Sequence, residues 1–67
     1  MTTKIVTTRA RKYRYKINIS GGKYSVYVDK SMSMFSSNWY SIGETRSMNS
    51  ALNIIRSHSG AEINDIT

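Results

Sequence analysis

The chain has no cysteine. That absence excludes a disulfide framework, a thiolate zinc knuckle and a thiol nucleophile, and it leaves packing alone to stabilise the core. It also fits a reducing compartment, so the cytoplasm is the expected location. Long apolar runs are missing too, and Met1 to Thr8 lacks the apolar stretch of a signal peptide, so neither a membrane span nor export is expected. Histidine occurs once, at His58. A single imidazole near a helix end suits a cap or a surface position, and spacing alone brings none of the eleven serines to it. The four acids, Asp29, Glu44, Glu62 and Asp65, show no metal-ligand spacing. The expectation is a protein that is not an enzyme and has no metal and no cofactor. Asn18-Ile19-Ser20 matches a glycosylation sequon, but it falls inside a predicted strand and carries no weight.

Sixty-seven residues make one small domain, able to bury only about 60% of the surface of its unfolded chain. Apolar residues at 39% and aromatics at 10% are enough for that chain to fold. Ten Lys and Arg against the four acids give a net charge of +6. The excess sits in one half. Residues 1–30 carry eight cations against Asp29 alone, +7, whereas residues 31–67 carry two cations against three acids, −1. A polyanion-binding surface needs such a patch, because long-range attraction to phosphate depends on local rather than average charge.

Residues 1–10, rich in Thr and basic groups with only Ile5 and Val6 to bury, read as a mobile basic arm or a weak edge strand. Residues 11–67 read as a single β-β-β-α domain. Tyr13, Tyr15, Ile17 and Ile19 alternate with Lys12, Arg14, Lys16 and Asn18, the period-two pattern of a strand with one apolar and one charged face. Gly21-Gly22 supplies a tight turn, after which Tyr24, Val26 and Val28 repeat the alternation, predicting an antiparallel hairpin. Residues 30–38 are either a loop or a longer hairpin arm. Trp39 to Glu44 forms a third strand, with Gly43 at its end or at a bulge. The period then changes: Met48, Ala51, Leu52 and Ile55 form one helical stripe, with Ser47 as N-cap and Gly60 as C-terminal stop, predicting a helix over residues 48–58. Ala61 to Ile66 offers a short fourth strand. The fold class is therefore α+β, a three-stranded antiparallel sheet covered on one face by a single helix.

The strand end Ile42-Gly43-Glu44, the helix Ser47 to Ser57 and the closing segment Gly60 to Thr67 resemble the YegP-like family of small domains, over roughly residues 13–67. That resemblance implies three strands and a helix. Because such units often occur in tandem and this chain has one, it also implies a pair made from two copies. The stretch from Lys30 to Asn38 is longer than the family's usual hairpin connection. A weaker resemblance, carried by the basic aromatic strand Lys12 to Lys16, is to the arm-site-binding domains of tyrosine integrases, which implies a sheet inserted into a DNA groove.

The uncovered face is the candidate site. Arg9, Arg11, Lys12, Arg14 and Lys16, extended by Lys23 and Lys30, are expected to neutralise phosphates, with Tyr27 and Trp39 or Tyr40 offering rings for stacking on unpaired bases. Tyr13 and Tyr15 alternate onto the other face and are assigned to the core. The expected function is nucleic-acid binding with little base specificity, RNA or single strands before duplex, as a homodimer. An alternative is a protein-binding or inhibitory module, a phage-type regulator of a host protein. It would act through the basic face and through Met32, Met34 and Phe35, which are too apolar for an idle loop and suit a partner or dimer interface.

Overall fold

The computed structural model describes residues 2–10, 13–29 and 38–67. In chain order these form β1 (Thr2–Thr8), β2 (Arg14–Ser20), β3 (Lys23–Asp29), β4 (Trp39–Thr45), α1 (Met48–Ser59) and β5 (Ile63–Ile66).

The β2–β3 hairpin organises the rest. Gly21 and Gly22 adopt φ of 57° and 78°. Positive φ at both central residues is what a two-residue type I′ turn requires, and its twist matches that of the flanking strands. The turn fixes the register: partner numbers sum to 43 along the whole hairpin, from Ser20 opposite Lys23 to Arg14 opposite Asp29. Tyr15, Ile17, Val26 and Val28 therefore share one face, and all four are fully buried.

The helix lies on that face. Ser47 caps its start, its hydroxyl accepting from the Ser50 N–H at 3.2 Å, and Gly60 closes its end at φ 69° with its N–H donating to the Arg56 carbonyl. Of the predicted stripe, Ala51 and Ile55 are fully buried, while Met48 and Leu52 pack against the core from its margin together with Ile54. β4 pairs with β3 through an irregular register, Val26 facing Gly43 and Tyr27 facing Ser41. The extra residue, Ile42, packs against the core. Gly43 is needed for close approach, since a Cβ there would sit 2.9 Å from Ile54 Cδ1.

The expected three or four strands are in fact five, in the order β4-β3-β2-β1-β5. Thr2–Thr8 is neither an arm nor an edge strand: β1 pairs antiparallel with β2 on one side and β5 on the other. One buried apolar residue, Val6, is enough to seat it, because backbone hydrogen bonds to two neighbours supply the rest. Ile5 exchanges two such bonds with Thr67, at 2.9 and 2.8 Å. The edge position belongs instead to β5, the short strand expected near the end. Among the described residues no helix is long and apolar enough to cross a membrane.

Candidate nucleic-acid interface

The pleat sends alternate residues of each strand to the face away from the helix. Register then places them in rows. Thr7, Arg14, Asp29 and Trp39 form one row across β1 to β4; Ile5, Lys16, Tyr27 and Ser41 form the next; Thr3, Asn18, Ser25 and Glu44 form a third. Trp39, rather than Tyr40, is the ring of β4 on this face, since Tyr40 lies opposite Val28 on the helix side.

The second row holds a cation between rings. Lys16 Nζ lies 4.6 Å from the centroid of Trp39 and 5.4 Å from that of Tyr27, inside the range of cation–π attraction. All three side chains are half-buried. Their apolar parts pack on one another while the ammonium stays within reach of solvent.

The first row holds an ion pair. Arg14 Nη2 donates to Asp29 Oδ2 at 2.7 Å, with the arginine side chain 55% exposed and the aspartate side chain at 0%. The other carboxylate oxygen accepts the Asn38 N–H at 3.3 Å. A carboxylate closed off in this way is retained because its partners compensate for lost hydration. Lys23 pairs with Glu44 at 3.1 Å and Arg56 with Glu62 at 3.6 Å. Both of these pairs are well exposed and contribute little to stability.

The expected basic residues are distributed as follows. Lys16 stands at the centre of the face, Arg14 beside it is bound to Asp29, and Lys23 lies at the turn, bound to Glu44. Arg9 sits past the end of β1, its backbone N–H donating to the Glu62 carbonyl and its side chain exposed. Arg11, Lys12 and Lys30 lie outside the described residues, as do Met32, Met34 and Phe35 of the expected partner or dimer interface. Among the described residues the open face sets Arg14, Lys16 and Lys23 against Asp29, Glu44 and, at the β5 edge opposite Thr7, Asp65, with Arg14 and Lys23 bound to acids. Its positive charge is thus concentrated at one spot. Composition alone did not separate the cations bound by acids from the free ones, but the register did contain that signal, because a two-residue turn at Gly21-Gly22 puts Asp29 opposite Arg14.

On the helix side, Tyr15 is fully buried with its hydroxyl 2.9 Å from His58 Nδ1, and Tyr13 and Tyr15 bring their rings within 6.1 and 5.7 Å of the imidazole. The contact ties the end of α1 to β2. Burial pushes the Tyr15 phenol up from its ordinary 10.0, and neighbouring Tyr13 adds to the rise. A cavity of about 90 Å³ lies between Thr8, Ala10, Tyr13, Tyr15, His58 and Ser59, with the buried Thr8 hydroxyl unpartnered at its wall. Among the described residues no group of three His, Asp or Glu side chains is placed to hold a metal. No family model, curated protein or solved structure matches the chain.

Proposed function

We propose that this protein binds single-stranded nucleic acid, RNA or DNA, on the open face of its sheet, with low overall sequence specificity. The observation that carries the proposal is the Lys16 ammonium held over the rings of Trp39 and Tyr27. A cation–π contact at an exposed site is worth about 0.5–1 kcal/mol. Stacking a base on an aromatic side chain is worth about 1–3 kcal/mol. An incoming base therefore displaces the amine from the ring, and the freed ammonium meets the phosphate that arrives with that base. Duplex bases, already stacked, offer no such exchange.

Charge supports the same reading. Asp29 binds Arg14, Glu44 binds Lys23 and Glu62 binds Arg56, and among the described residues Lys4, Arg9, Lys16 and Arg46 have no acid partner within ion-pair distance. These four cations, in a chain of net charge +6, favour the approach of a polyanion.

Trp39 is the sole tryptophan, so its fluorescence reports the site directly. Titration with single-stranded RNA and DNA oligomers is expected to quench it, with affinity falling steeply as salt rises, while duplex DNA leaves it unchanged. Lys16→Ala should weaken binding to all sequences alike and reduce the salt slope by about 0.7. Absence of quenching by either single strand at low salt would overturn the proposal.

A further inference from the structure

Arg14 is the less obvious member of the open face. Its charge is matched by Asp29 at 2.7 Å, and that carboxylate is fully buried, so the pair as a whole is close to neutral and adds little to attraction for phosphate. A phosphate brought to Arg14 would also meet the negative charge of Asp29. What remains is direction. A guanidinium carries five N–H donors in a rigid plane. One nitrogen, Nη2, is anchored on Asp29 Oδ2, and the side chain is 55% exposed, so the fork has a fixed base and a flank that a ligand can reach. A clamped, nearly neutral donor fork suits a neutral partner with two acceptors side by side.

Arg14, Asp29 and Trp39 lie in one row on three successive strands. Neighbouring strands are about 4.8 Å apart, so Arg14 and Trp39 are separated by roughly 10 Å. A purine lying against the indole spans that gap, with one hydrogen bond closing it. Of the two purines, only guanine presents two acceptors side by side, O6 and N7 on its Hoogsteen edge, and arginine is their usual bidentate partner.

We infer that Arg14, held by Asp29, reads the Hoogsteen edge of a guanine whose ring stacks on Trp39. The inference rests on the single-strand reading above and adds to it a guanine preference at one nucleotide position. Asp29 acts here as a positioning residue and Arg14 as the specificity-determining one.

The test compares an all-uridine RNA oligomer with versions in which one central uridine is replaced by guanosine, adenosine or 7-deazaguanosine, read by Trp39 quenching and by anisotropy. The guanosine oligomer is expected to bind about five- to a hundredfold more tightly than the all-uridine one. Adenosine should show only the smaller gain from purine stacking, and 7-deazaguanosine, which keeps the ring and O6 but loses N7, should lose most of the guanosine advantage. Arg14→Lys keeps the charge and removes the fork, so it should bind all four oligomers at the adenosine level or below with the salt slope unchanged. Equal binding of guanosine and 7-deazaguanosine by the wild-type protein would overturn the inference and leave the single-strand reading standing. Failure of the wild-type protein to bind any of the four would remove both.

Discussion

The two faces of the β2–β3 hairpin are built from alternate residues of the same two strands, yet they differ in kind. Toward the helix, Tyr15, Ile17, Val26 and Val28 are closed off completely and joined by Val6, Ala51 and Ile55. Away from it, Lys16 and Tyr27 remain half-buried, and Arg14 is exposed over a carboxylate that is not. The covered face is held by the hydrophobic effect, which is indifferent to direction. The open face is held by directional contacts, an ion pair and a cation over rings, whose donors can be redirected to a ligand. Substitutions should therefore divide: those on the covered face act on folding, and those at the solvent-reaching Lys16 of the open face act mainly on binding, whereas the buried Asp29 belongs with the fold.

Ile55→Ala should show the largest effect. It empties a fully buried position beneath the sheet and should cost about 2–5 kcal/mol, comparable to the whole of the roughly 3–5 kcal/mol that a core this small supplies. Circular dichroism at room temperature should find a largely unfolded population; a melting temperature near wild type would remove Ile55 from the core. Leu52, only partly buried, should tolerate the same truncation better.

Gly22→Ala tests the turn. At φ 78° an added Cβ meets no neighbouring atom, so the cost is conformational, about 1–2 kcal/mol. A lowered urea midpoint with unchanged slope is expected, and no change in midpoint would contradict the left-handed turn.

The Tyr15 phenol supplies a pH-dependent contrast. Its pKa in the folded chain is raised above 10.0 by burial and by Tyr13, so the folded state holds the phenolic proton more tightly than the unfolded state does. The associated stability is complete below pH 10 and is lost progressively above it, as the unfolded chain ionises first. Tyr15→Phe should flatten that alkaline decline. At neutral pH, loss of the hydroxyl contact to His58 should lower stability by about 0.5–1.5 kcal/mol. An equally steep decline in the variant would assign it to another group.

The smallest effect on folding should come from the open face. Lys16→Ala, which removes the ring contacts of the ammonium, should lower stability by no more than about 1 kcal/mol while weakening single-strand binding, a separation visible by running melts and titrations on the same sample.

Much of this comparison is written in local pattern. Alternation over Tyr13 to Ile19 and over Tyr24 to Val28, broken by two glycines, specifies the hairpin and its buried face. The shift to Met48, Ala51, Leu52 and Ile55 specifies the helix, and Ser47 and Gly60 specify its ends. β1 was not legible in the same way. Val6 is its one fully buried apolar residue, and its place depends on pairing with Ile66 near the far end of the chain, a long-range contact that no local window contains. The site divides similarly. Parity alone puts Tyr27 on the open face and leaves Trp39 and Tyr40 as alternatives, between which the β3–β4 register decides for Trp39. Among the described residues, the binding of Arg14 by Asp29 and of Lys23 by Glu44 leaves the open face a focus at Lys16, which emerges only when strand register sets charges opposite one another.

The central claim is that the aromatic and cationic cluster on the open face is a binding surface for unpaired bases. The most direct measurement is Trp39 fluorescence during titration with a single-stranded RNA oligomer at low and at physiological salt, for wild type and Lys16→Ala side by side. The account predicts saturable quenching that weakens with salt, and weaker, less salt-sensitive quenching in a variant that is still folded by circular dichroism. Indistinguishable titrations of the two proteins, or no quenching of the wild type at low salt, would contradict it.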